Sequence, residues 1–234
     1  GSLSSERRTS SVKPRTRRRI LLVGGFAVYF GLLWSLWYTP VVYPLKIFVV
    51  LLHEISHGVA AVATGGSIDA IVLNPDQGGA CYCSGGNQFL TLSAGYLGSL
   101  GWGVLLLLAA SSSRIRARGL VAVAGGLILA LTVLYIRGWF GIAYGLFFGS
   151  GLVASARFFP ESVNRTLVRV LGMTSALYVL LDIRSDILQR PHLRSDAAML
   201  AELTGVPTLL WGLLWMAAAL FIVWWLLERT WRRA

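Results

Sequence analysis

Charge is what this chain has least of. Only 13% of its 234 residues are Asp, Glu, Lys or Arg, against about a quarter in an ordinary soluble domain. That shortage excludes a water-soluble globular protein of this length. Acidic residues are the scarcer sign, 10 against 21 Lys and Arg, for a formal net charge of +11. The basic excess sits mainly in the amino-terminal stretch and in short loops and meets anionic lipid headgroups, although a cytoplasmic amino terminus with seven spans puts the Arg114-Arg116-Arg118 loop and the basic carboxyl tail outside, against the positive-inside rule. No folded basic domain exists to present it to nucleic acid, so no nucleic-acid partner is expected. Cysteine is nearly absent. Cys81 and Cys83 are the only two, which excludes a disulfide framework. A bridge across one intervening residue is strained, so both read as reduced thiols in a loop.

What the chain has in abundance is apolar sequence, 56% of all residues. Seven stretches approach or reach the roughly 20 residues that cross a bilayer as helix: 20–38, 41–64, 89–110, 119–136, 138–157, 166–183 and 207–227. The first carries Trp34, Trp37 and Tyr38 as an interfacial belt, and Thr39-Pro40 breaks it. The expectation is an all-α, multi-pass integral membrane protein of about seven transmembrane helices. One helical domain covers residues 20–228. A disordered basic tail, 1–19, precedes it, with Gly1-Ser2 as a cloning scar, and a short basic tail, 229–234, follows. No cleavable signal pattern precedes the first span. The tail residues Arg7, Arg8, Lys13, Arg15, Arg17, Arg18 and Arg19 place the amino terminus on the cytoplasmic side.

Between the second and third spans the composition changes. Residues 68–73 and 80–84 read as strands joined by a turn at 74–79, a small β-hairpin, or else as a plain loop. A hairpin there presents an edge that can hold an extended peptide. Small residues recur every fourth position in two spans: Gly95, Ser99 and Gly103, then Gly141, Gly145 and Gly149. These are seams for close helix packing, within the chain, with a partner membrane protein or with a second copy.

One pattern carries chemistry. His53-Glu54-Ile55-Ser56-His57 lies inside the second apolar span. On a helix, positions i and i+4 share a face, so His53 and His57 can aim two imidazoles at one metal ion. Glu54 stands beside them, where it can take a proton from a water polarised by that ion. Ionisable side chains at membrane depth are costly, and three together mark a functional site. The bland reading is a buried polar cluster bonding helices together. Catalytic zinc takes three protein ligands, so a third must come from elsewhere. Asp182, at the end of the sixth span, is the expected ligand. Asp186, one turn on, is the runner-up, with a salt bridge to Arg190 as its other reading. His192 follows Pro191 in a loop and ranks third.

These residues resemble the site-2 protease class of intramembrane zinc metallopeptidases, in its peptidase-B-like membrane branch. The resemblance rests on the histidine motif within a span and on Thr64-Gly65-Gly66 with a glycine-rich hairpin after it. It extends to Ala94-Gly95-Tyr96-Leu97-Gly98-Ser99 and to Asp182-Ile183-Arg184-Ser185-Asp186 through Ser195-Asp196-Ala197. It implies cleavage of a transmembrane protein substrate, with zinc on His53, His57 and Asp182 and Glu54 as the acid-base. Two departures stand out. The family's Leu-Asp-Gly reads Leu181-Asp182-Ile183 here, and three apolar segments separate hairpin from Asp182 where the core family has one. A catalytically inactive, protease-like scaffold or assembly partner is the alternative. A transporter is a third class, without the paired broken helices it would need.

Overall fold

The computed structural model describes residues 14–37, 39–76, 78–184 and 195–233. Helix α1 (Pro14–Ser35) occupies the first apolar stretch. It begins inside the expected tail, so residues 14–19 are helical, while residues 1–13 lie outside the described residues. Helix α2 (Tyr43–Ala63) starts with Pro44 in its first turn, where a missing N–H costs nothing because it would have no helical partner. It ends at Gly65, φ 91°, a left-handed stop that suits glycine. The Gly66 amide closes onto the Ala61 carbonyl at 2.8 Å.

That turn feeds the chain directly into β1 (Ser67–Leu73), antiparallel to β2 (Gly79–Ser84). The hairpin, not the plain loop, is what forms. A two-residue strand, β3 (Ile136–Arg137), adds parallel to β1 at Ile71. The order is β2-β1-β3, which leaves β2 on an edge. The two cysteines correct the sequence reading. They lie on β2 rather than in a loop and are joined as a disulfide, because alternate residues of a strand face the same side.

Helix α3 (Gln88–Ser111) is capped by Asn87, whose side chain accepts from the Leu90 amide at 3.0 Å. Then come α4 (Ala117–Leu134), α5 (Trp139–Phe158) and α6 (Glu161–Arg184). A short helix that the sequence reading did not separate, α7 (Asp196–Thr204), precedes α8 (Thr208–Arg233), which absorbs most of the expected carboxyl tail. Among the described residues, α2, α3, α4, α5, α6 and α8 are long and apolar enough to cross a membrane. The remaining expected span, the first, 20–38, corresponds to α1, whose described apolar part, Gly24–Ser35, is shorter. The chain is therefore a mostly helical, multi-pass membrane protein with a small sheet after the motif helix.

Two helices are central. The spans of α2 and α6 are each 61% buried, while those of α3, α4, α5 and α8 range from 22% to 33%. Ile47, Val49 and Leu51 on α2 have no exposed surface. The glycine seams are filled from within the chain. A Cβ on Gly103 would stand 2.6 Å from the Ala176 amide of α6, and one on Gly125 of α4 would stand 2.8 Å from the Gly149 carbonyl of α5. These backbones touch, as small-residue faces allow in lipid. At one end of the bundle, Arg165 of α6 donates to the carbonyls of Ala110, Ser112 and Ile115 at 2.9–3.0 Å. Glu161 accepts from the Ala117 and Arg118 amides. Together they fix the turn between α3 and α4.

Candidate metal centre

The central helix sets the geometry. His53 and His57 lie one turn apart on α2, their rings 4.8 Å apart and nearly perpendicular. Both point inward. The His53 side chain is 13% exposed and that of His57 is 9% exposed. Each ring is held from a different side. The His57 Nδ1–H donates to the Thr91 carbonyl of α3 at 2.7 Å, which leaves Nε2 with its lone pair free, the tautomer a metal needs. The edge-on ring of Tyr96 lies 5.1 Å from His53, and Trp215 of α8 packs behind Tyr96 at 4.8 Å.

The third donor arrives on α7. Ser195 caps that helix, its side chain accepting from the Ala198 amide at 3.3 Å. Asp196 is then the first helical residue, where the positive end of the helix dipole favours a carboxylate. Its Oδ2 stands 2.9 Å from His53 Nε2 and 3.3 Å from His57 Nε2. Asp196 Oδ2 is buried and has no hydrogen-bond partner among the described residues.

Three donor atoms converging within 4.8 Å of one another fit one cation. Two nitrogens and an oxygen bound tetrahedrally at ~2.0–2.2 Å would stand roughly 3.4 Å apart. An orphaned, buried carboxylate oxygen between two neutral-capable imidazoles is the chemistry that such a donor set satisfies. His53, His57 and Asp196 are the residues that could hold a metal.

Glu54 is 6% exposed and turns toward β2. A Cβ on Gly79 would meet its Oε1 at 2.6 Å. The glycine at the start of β2 is what leaves room for that carboxylate. Ser56, inside the motif, donates to the Leu52 carbonyl at 2.6 Å and accepts from Trp102 Nε1 of α3 at 3.2 Å.

The expected residues separate as follows. His53, His57 and Glu54 come together. Asp182 is not in the group of converging donors. It stays on α6, partly buried, while the carboxylate that reaches both imidazoles comes from α7. Asp186, Arg190 and His192 lie outside the described residues. Gly95, read as one of a packing seam, belongs to the site instead. A Cβ there would fall 2.5 Å from both Asp196 Oδ2 and His53 Nε2. The signal for Asp196 was Ser195 as a helix N-cap with an acid at the next position.

A family model described as Peptidase M50B-like matches residues 26–226. No curated protein and no solved structure matches the chain. The matched stretch contains the motif helix, the sheet, Gly95 and α7 with its aspartate, and it covers most of the sequence. The chain belongs to the Peptidase M50B-like family, consistent with the site-2 protease class of membrane metallopeptidases.

Proposed function

We propose that this protein is an intramembrane zinc metalloendopeptidase that hydrolyses a peptide bond in a transmembrane substrate. The observation that carries the reading is the convergence of His53 and His57 on the unpartnered Asp196 Oδ2, beside Glu54. His53, His57 and Asp196 would hold the ion. Zinc, when bound, supplies polarisation of water and of the scissile carbonyl. Glu54 takes the proton from the attacking water and returns it to the departing amine. Burial of all four side chains by α3, α7 and α8 limits water at the site and strengthens each charge interaction there.

The edge strand β2 borders this site through Gly79 and Glu54. A helical substrate must unwind locally to expose its peptide bonds, and an extended segment can add to that edge by backbone hydrogen bonds. Membrane lipids surround the remaining faces, and the basic amino-terminal stretch puts that end in the cytoplasm.

Metal analysis and cleavage, measured on the same samples, test the reading. The wild type should carry one zinc per chain and cleave a reconstituted transmembrane reporter. Glu54→Gln should keep the zinc and lose roughly 10²–10⁴-fold in rate, the usual contribution of a general base. His53→Ala with His57→Ala should lose both. Stoichiometric zinc with no cleavage of any membrane-embedded reporter would favour the inactive scaffold, and absence of metal from the wild type would reject the site.

A further inference from the structure

Away from the metal, α3 and α4 each pack against α6 but hardly touch one another. Beside their connecting turn lies a groove of about 460 Å³, lined mostly by apolar side chains of α3, among them Trp102, Leu105, Leu106 and Ala109, and closed by Ile115 of the turn and Leu120 at the start of α4. Its size lies within the ~300–1,000 Å³ of ligand pockets. Trp102 stands nine residues before the end of α3 at Ser111, roughly 14 Å along a helix axis. That is about the depth of one leaflet in a hydrocarbon core of ~30 Å.

The turn at the end of this groove is basic and rigid. Arg114 and Arg116 flank the groove residue Ile115 and are exposed. Among the described residues neither forms an ion pair. Arg118 differs, since its guanidinium donates to the Ala156 and Arg157 carbonyls. The three hydrogen bonds from Arg165 hold this turn in place, so the two arginines sit on a fixed platform.

We propose that the groove and this turn form a binding site for one anionic phospholipid, with an acyl chain in the groove and the phosphate on Arg114 and Arg116. Basic clusters at the ends of membrane helices recognise anionic headgroups in this way. A zwitterionic lipid fills the groove equally well but brings its own cation against the arginines. The site is independent of the proposed peptidase activity. It touches the motif helix at one point, where Trp102 donates to Ser56 at 3.2 Å.

The test uses the full chain in nanodiscs of equal phosphatidylglycerol and phosphatidylcholine, with retained lipid read by native mass spectrometry. The wild type should retain one phosphatidylglycerol in preference. Arg114→Gln with Arg116→Gln should lower that preference about 25-fold, at roughly fivefold per arginine near a membrane surface. Ala109→Trp should expel lipid of either kind, while Arg157→Gln, at the end of α5, should change nothing. Glycerol phosphate, the headgroup without chains, should not be retained. Unchanged preference in the double variant, unchanged retention in Ala109→Trp, or retention of glycerol phosphate would overturn the proposal. Should Ala109→Trp not fold, brominated-chain lipid gives a second readout. The quenching attributable to Trp102, taken as wild type minus Trp102→Phe, should be stronger with the anionic lipid, and equal quenching by both lipids counts against the site.

Discussion

The chain contains two kinds of membrane helix packing, and they do different work. Around α2 and α6, 61% of each span is buried, and α2 carries Lys46, His53, Glu54 and His57. In the α4–α5 pair only 28% of each span is buried, and neither helix has a single Asp, Glu or His. The pair is held by glycine contacts instead, with Gly125 against the Gly149 carbonyl. Ionisable groups at membrane depth need a sheath of other helices, which α2 has and α4 lacks. The pair meets the motif helix away from its histidines, where Tyr144 of α5 donates to the Pro44 carbonyl at 2.8 Å and Phe148 packs on Phe48, and it meets the sheet through β3, which pairs with β1 at Ile71. Chemistry is concentrated where burial is greatest, and the periphery contributes scaffolding.

The sharpest way to break that contrast is at Asp196. Asp196→Asn keeps the size but removes the charge from a group between two imidazoles 2.9 and 3.3 Å away. Loss of a direct ligand should weaken zinc binding by more than the ~10–100-fold seen for outer partners, and cleavage should disappear with it. Equilibrium dialysis against a zinc buffer reads the change. Retained affinity would move the metal elsewhere.

Gly95→Val asks whether the site tolerates any added volume. The new side chain would begin 2.5 Å from both His53 Nε2 and Asp196 Oδ2. Zinc affinity should fall about 10–100-fold, the range for disturbing what orients the ligands, with the protein still folded. Gly125→Val makes the same insertion in the other region, against the Gly149 carbonyl. It should cost about 1–3 kcal/mol of stability by overpacking, seen as a lower thermal transition in detergent, while zinc per folded chain stays the same. If Gly125→Val emptied the metal site, the two regions would not be separable.

The spans, the hairpin and two of the three converging donors were legible from the residues alone. Spans are legible because lipid demands long apolar runs, and His53 and His57 because a helix repeats its face every four residues. The parts that stayed hidden have different causes. Strand β3 has two residues, too few for any period to show. Helix α7 has nine, too short to register as a span, so its aspartate was not weighed as a ligand. The disulfide depended on Cys81 and Cys83 lying on a strand, and Gly95 was one small residue in a row of three. The place of β3 and the role of Gly95 depend on what another segment brings close, which spacing along one segment does not carry, whereas the disulfide lies within a single strand and was set aside as strained.

The smallest effect expected is the most discriminating. Asp182 closes an apolar helix, Leu180-Leu181-Asp182, and lies near enough for its charge to act on His53. It does not join the converging donors. Asp182→Asn should therefore leave zinc stoichiometry and affinity at the wild-type level. Any change in cleavage should be modest, because a carboxylate that acts through space alters the field at His53 without removing a ligand. The paired result decides the matter. Zinc lost with Asp196→Asn and kept with Asp182→Asn assigns the third position to α7. The reverse pattern would put it at the end of α6, and α7 would then be packing alone.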